Sequence, residues 1–545
     1  VNDESARSIT FPKIFVHTTL LTKEPSLATT NDPQGLAVLP FLQSDRAGSI
    51  YEAIGLEPII NCRGTFTIIG GSVELPAVLQ AMEAASGYFV QYDELAAAVG
   101  ERLAAITGAE WGLIASGCAA AIKHVTIACV TGGNPEKLIR VPDLTGFEKT
   151  QVIIPITSRN AYDHAVRNVG VEVIEVATPE ELEQAINPRT AMIYMATGRG
   201  SEEDQVLSLE KMAQIAAPRG IPILCDAAAE NLTIPNVHLQ RGATLVAYSG
   251  GKALCGPQCA GFVIGDKALL TSAWQASAPH HGPGRDDKIG KEEVMGMLAA
   301  VESWVTRDHE GEWASWLSIL ETISATLDGI DSVTMSVEEP QGLNNRVPRL
   351  TVRWDPAVLH ITGEQVAEDF ARKSPRIAIG AADGDGMASV NVTPSQMQPG
   401  NAETVATRIK DILCAERPPL SDELAATTLD LSGTWDVRVD YATSSSHHRW
   451  SLSQDGNWVS GLHETDYATL EIHGVVEGDQ VKLESNMRKP GNWIPFLFGG
   501  ASQGESITGM IHLGEYQTAT FTAQRAASGS KGRRVTIPGG PPLAT

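Results

Sequence analysis

The feature that most restricts the fold is a lysine, Lys252, set in Tyr248-Ser-Gly-Gly-Lys-Ala-Leu-Cys-Gly-Pro-Gln-Cys-Ala-Gly261 between two short apolar runs. Ala243-Thr-Leu-Val-Ala-Tyr248 and Gly261-Phe-Val-Ile-Gly265 read as buried strands, which puts Lys252 on the turn that joins them. Glycines at 250, 251, 256 and 261 let the backbone approach a bulky planar partner where side chains would prevent it. A lysine partly withdrawn from water has its charged form disfavoured, and its amine becomes available for a Schiff base. Taken alone, the stretch also reads as a glycine-rich hairpin with a surface lysine.

Two upstream segments weigh against that plainer reading. Ile221-Pro-Ile-Leu-Cys-Asp226 is a buried strand of the parallel kind that ends in a carboxylate, and α/β folds bind ligands at the carboxyl ends of such strands. Trp111-Gly-Leu-Ile-Ala-Ser116-Gly-Cys-Ala-Ala-Ala-Ile-Lys-His is a strand, a turn of small residues and a helix start, whose backbone N–H groups form a phosphate site at Ser116, Gly117 and Cys118. In this order, phosphate cup, strand-end aspartate and lysine resemble the fold type I enzymes that use pyridoxal 5′-phosphate (PLP).

The lysine segment also resembles the selenocysteine synthase (L-seryl-tRNA selenium transferase) group, and more closely its relatives of the D-glucosaminate-6-phosphate ammonia-lyase type. Asn61-Cys-Arg-Gly-Thr-Phe-Thr-Ile-Ile-Gly-Gly71, Tyr162-Asp-His-Ala-Val-Arg, and Gly284-Arg with Ile289-Gly-Lys-Glu-Glu-Val-Met-Gly296 share that likeness, which spans roughly residues 46 to 415. It implies an α/β fold with a mostly parallel sheet, Lys252 as the aldimine lysine and Asp226 beside the pyridinium nitrogen. Ser249 joins the phosphate candidates. The group stacked on the cofactor ring comes from Arg159, Tyr162 or His164, with Arg159 carried as the cofactor contact. Thr197 and Arg199 are placed near the substrate or the phenolic oxygen.

For the substrate, Asn61, Arg63 and Thr65 are candidates, with an equal reading in which they only fix a turn. Arg285, with Lys288 and Lys291, is a candidate for an anionic group, against a solvated charge run before a helix. Arg376, with Arg346 beside it, is a candidate for the substrate carboxylate. Where the seleniumtransferases carry an arginine near Ser389-Val-Asn-Val392, this chain has Asn391.

A formal charge of −24 over 545 residues argues against a nucleic-acid surface. Seven cysteines without zinc-finger spacing fit a reducing cytoplasm, and Cys255 and Cys259 read as small buried thiols rather than a redox or metal pair. No metal is expected. No run approaches the ~20 apolar residues of a membrane span, and no secretory leader is expected. The first residue is Val rather than Met, as in a processed chain or one that begins inside a longer protein.

The expected organisation is an N-terminal arm over 1–45, a PLP-binding large domain over 46–300, a small α+β domain over 301–416 and a linker over 417–430. An antiparallel β-module follows over 431–526, sandwich or small barrel with a lipocalin-like cadence, then a flexible tail over 527–545. Trp435, Trp450, Trp458 and Trp493 read as core or oligomer contacts before ligand-cavity walls.

The expected function is a PLP-dependent lyase that removes the β-hydroxyl of a polar amino acid or amino sugar acid, giving a 2-keto acid and ammonia. Alternatives are a β-replacement transferase, a racemase or aldolase, and a ligand-binding protein on a retired PLP fold. A homo-oligomer, at least a dimer, with no nucleic-acid or membrane partner completes the expectation.

Overall fold

A computed structural model of the protein describes residues 50–198, 206–421 and 423–526. The expected arm over 1–45, Arg199 and the tail over 527–545 lie outside these residues. The chain divides into two units, Val1–Ile59 and Ile60–Thr545. In the first, Glu52–Ile54 is one turn of 3-10 helix, closed by Gly55 in the left-handed region at φ 81°.

The second unit is built on a seven-stranded sheet. In spatial order its strands are Trp111–Ala115, Gly261–Gly265, Leu245–Ser249, Ile223–Asp226, Thr190–Ala196, Gln151–Pro155 and Glu172–Val176. All neighbours are parallel except Gly261–Gly265, which runs antiparallel to both of its partners. The central strands are mainly apolar and buried over nearly their whole length because helices cover both faces, as a parallel sheet requires. The helix Tyr92–Thr107 lies directly on the edge strand. A methyl group on its Gly100 would sit 2.1 Å from the Trp111 ring, so only glycine permits the approach.

A second, antiparallel sheet has the order Gly380–Gly384, Met387–Val392, Arg349–Trp354 and Val333–Glu338. It packs with the helices His309–Leu327, Gly363–Arg372 and Asn401–Cys414 around buried Trp354 and Phe370. The early segment Ile60–Asn61 pairs in parallel with Ile377–Ala378 and so belongs to this layer. Thr362 and Gln365 form a reciprocal capping box at the start of the helix Gly363–Arg372, which fixes where that helix begins.

The C-terminal module is a closed barrel of eight antiparallel strands, from Gly433–Asp440 to Thr518–Arg525. Alternation along each strand sends one set of side chains inward, and closure leaves no free sheet edge. Trp435 and Trp450 are fully buried in its core, whereas Trp458 and Trp493 are exposed. His447 is exposed, while His448 and His463 point inward in a buried chain of hydrogen bonds. Ser446 Oγ lies 2.9 Å from His448 Nε2, His448 Nδ1 lies 2.9 Å from His463 Nε2, and His463 Nδ1 lies 2.6 Å from Ser485 Oγ.

Burial, followed by the neighbouring His448, pushes the His463 imidazole down from 6.5 to about 3. The unfolded chain takes up a proton below 6.5 and the folded barrel does not, so stability is full above 6.5 and falls as pH drops towards about 3. The unfolding temperature is therefore expected to fall between pH 7 and pH 5, above the main carboxylate range. His463→Gln is expected to flatten that dependence, as read by thermal scans at fixed ionic strength.

Candidate active site

Asp226 closes its strand inside the sheet, 8% exposed. Its carboxylate accepts from the Tyr194 hydroxyl at 2.8 Å, from the Ala228 N–H at 3.1 Å and from the Cys118 thiol at 3.5 Å. Burial first, and the adjacent Asp226 charge second, push the Tyr194 phenol and the Cys118 thiol well above their ordinary values. Both therefore stay protonated and remain donors to the carboxylate. Thr197 closes the arrangement from the next strand end. Its N–H and hydroxyl both donate to the Asp226 carbonyl, at 3.0 and 3.1 Å, so it positions the aspartate.

Cys118 also begins the helix Cys118–Thr131, whose N-cap, Gly117, sits at φ 91° and offers no side-chain cap. The first N–H groups of that helix are left for an external acceptor. The Ser116 hydroxyl donates to the Asp287 carbonyl at 2.9 Å. Gly261 lies under the turn, where a methyl group would come within 2.5 Å of the Cys118 nitrogen. Ser249 faces Gly261 in register, three residues before Lys252.

The Lys252 turn is held from outside. Arg307 donates to the carbonyls of Ala253 and Leu254 at 3.1 and 2.9 Å, and the Leu75 N–H donates to the Cys255 carbonyl at 3.1 Å. Lys252 is half-buried, and its Nζ stands 5.9 Å from the centre of the Tyr162 ring. Both residues line a cavity of about 1080 Å³, together with Arg63, Thr65, Trp313 and Arg346. Arg346 reaches it because the 343–345 segment is laced to the chain following Asp226: the Asn231 N–H donates to Leu343 O at 3.0 Å, and the Asn345 N–H to Ala229 O at 2.8 Å. Arg63 and Arg346 each lie over an aromatic ring, Phe66 at 4.7 Å and Trp313 at 5.7 Å.

Several expected contacts fall elsewhere. Arg159 does not line the cavity: its guanidinium is held by fully buried Asp163 and by Glu175, which leaves Tyr162 as the residue of that stretch facing Lys252. Asn61 fixes a turn, its side-chain oxygen accepting from the Arg63 and Gly64 N–H groups and its amide donating to Gly64 O. Arg285 is exposed and Arg376 donates to Ala371 O, and neither lines the cavity. Cys259 is exposed, not a buried thiol, and Asn391 accepts from Thr351 within the small sheet. Sequence reasoning missed Tyr194 as a partner of Asp226. Its signal is a phenol in the middle of a buried strand, which must find an acceptor.

The chain matches the family of Cys/Met metabolism PLP-dependent enzymes over residues 88–306. A D-glucosaminate-6-phosphate ammonia lyase from Salmonella typhimurium is 30% identical over 332 residues, covering 58% of this chain and 85% of the relative. The chain belongs to this family of PLP-dependent carbon–nitrogen lyases. A solved D-glucosaminate-6-phosphate ammonia-lyase superposes with a TM-score of 0.59 at 28% identity, over 67% of this chain and 98% of that one. A 5′-C-glycyluridine monooxygenase-decarboxylase from Streptomyces is 26% identical over 67% of this chain and 92% of its own length. An L-seryl-tRNA(Sec) selenium transferase from Serratia proteamaculans is 24% identical over 52% and 65%.

The large sheet with its antiparallel Gly261–Gly265 strand is thus the fold type I PLP architecture, to which the barrel is appended. The residues present suit PLP. An uncapped helix start can take its phosphate, the buried Asp226 carboxylate can face its ring nitrogen, and the Lys252 amine, which has no hydrogen-bonded partner among the described residues, opens into the cavity. Gly261→Ala is expected to weaken PLP binding by about 1–3 kcal/mol of overpacking, on the order of tenfold or more in affinity. Titration of the apoprotein with PLP measures it.

Proposed function

We propose that the protein eliminates the β-hydroxyl of a polar amino acid or amino sugar acid, of the D-glucosaminate or D-glucosaminate 6-phosphate type, to give a 2-keto acid and ammonia. The observation that carries the reading is the Lys252 amine opening into the cavity beside Arg63 and Arg346, with the Asp226 carboxylate buried behind it.

PLP supplies the electron sink for the carbanion at the substrate α-carbon. Asp226 would keep the ring nitrogen of PLP protonated, and its own donors, Tyr194 and the Ala228 N–H, hold the carboxylate in place. The free Lys252 amine would take the α-proton as general base. The ammonium so formed would give its proton to the β-hydroxyl, which would leave as water. The enamine product hydrolyses to the 2-keto acid and ammonia. Among the described residues Arg63 and Arg346 meet rings rather than carboxylates, so both are suited to the anionic ends of a substrate. The acidic balance of the chain, −24, favours this reading over a tRNA-dependent transferase.

The reading includes a homo-oligomer in the cytoplasm. The stretch 66–90 leaves Ile68 81%, Tyr88 72% and Phe89 100% exposed, an apolar surface suited to a second copy of the chain. All seven cysteines are free thiols.

Lys252→Ala is expected to retain some PLP yet show no turnover. Arg346→Ala is expected to raise KM for an anionic substrate about tenfold or more, with a smaller change in kcat. Keto-acid and ammonia release from D-glucosaminate, its 6-phosphate, and L- and D-serine is the assay. Release from none of them overturns the ammonia-lyase proposal.

A further inference from the structure

The barrel is joined to the catalytic region at the segment that carries Tyr162. The hairpin between its strands Gln480–Lys489 and Asn492–Ser502 lies against Asn160–Arg167. At its tip Gly491 adopts φ 79°, and a methyl group there would fall 2.3 Å from the Asn160 carbonyl oxygen and 3.3 Å from Asp163 Oδ2. The next residue, Asn492, contacts the segment through both ends of its amide. Its oxygen accepts from Arg167 at 3.3 Å, and its nitrogen lies 3.4 Å from His164 Nε2.

Those contacts feed a fixed network. Arg167 donates to Asp163 Oδ1 at 2.7 Å, and Arg159 donates to Asp163 Oδ2 at 2.5 Å, with Asp163 fully buried between them. Asn160 takes the Tyr162 N–H on its side-chain oxygen at 2.7 Å. The backbone on both sides of Tyr162 is therefore pinned, by Asp163 below and by the barrel hairpin across it. Tyr162 itself is 58% exposed, with its ring turned to Lys252. A short 3-10 turn, Ala161–Asp163, has little rigidity of its own.

We propose that Asn492 and Gly491 are positioning residues of the active site, and that the barrel holds the Tyr162 ring against the face of the bound cofactor. The proposal rests on the reading of Lys252 as the PLP-bearing lysine, and it gives the appended barrel a role in the site. A misplacement of about 1 Å at such a contact is enough to matter to a bound reactant.

The test uses full-length holoenzyme and needs no substrate. The rate of PLP release and the circular dichroism of the cofactor band are measured for wild type, Asn492→Ala, Tyr162→Ala and the double variant. Trp458→Ala, an exposed barrel position, is the control. Asn492→Ala is expected to speed release about tenfold and to weaken the dichroism, with the unfolding temperature unchanged. In the Tyr162→Ala background it is expected to add nothing, because the two residues act through one contact. Release and dichroism unchanged in Asn492→Ala, or effects that simply add, overturn the proposal. A Tyr162→Ala enzyme that behaves as wild type also overturns it, and leaves the Lys252 reading standing. Purified wild type that retains no PLP refutes that underlying reading instead.

Discussion

The structure of the site depends on one buried negative charge. A carboxylate at the end of a central strand is costly to bury unless donors surround it, and Asp226 has a phenol, a thiol and a backbone N–H in place. Each donor comes from a different element: the strand Thr190–Ala196, the start of the helix Cys118–Thr131, and the chain leaving the Asp226 strand. The carboxylate therefore ties together the three pieces that must meet around a bound cofactor. A cationic pyridinium facing it would complete a pair that the protein has already prepared.

Around that charge, space is set by what is absent. Glycine at 261 lets the helix start settle onto the strand following the lysine loop, and glycine at 100 lets the neighbouring helix lie flat on Trp111. The lysine turn is irregular, with Cys255 at positive φ, and it keeps its shape because Arg307 takes two of its carbonyls. The cavity in front is closed by aromatic side chains on the helices that follow, Trp304 from one and Trp313 and Trp316 from the next. The 343–345 segment brings in a wall from the smaller layer, so that Arg63 and Arg346 both line the cavity.

Much of this was legible in the chain. The strand that ends in Asp226 and the two that flank the Lys252 turn are short apolar runs, and the small-residue turn at Ser116-Gly-Cys announces a helix start. The closed barrel was legible as alternation with turns, although alternation alone does not separate a barrel from a sandwich. Arg159 and Arg376 went astray, and Asn61 and Arg285 took the plainer of their two readings, a turn and a solvated charge, for one reason: a charged or amide side chain near a motif has no direction in sequence. Arg159 is taken by Asp163 and Glu175, and Asn61 by its own turn. Tyr194 and the hairpin at Gly491 were invisible because their partners are 32 and more than 300 residues away. The names of the relatives span a lyase, a monooxygenase-decarboxylase and a transferase, so similarity over this region does not by itself single out one reaction.

The central claim is that Lys252 carries the cofactor. Borohydride reduction of the purified holoenzyme, followed by peptide mass spectrometry, tests it directly. The account predicts the reduced cofactor covalently attached to the peptide containing Lys252 and to no other. Attachment at a different lysine, or none in protein that retains PLP, would contradict it.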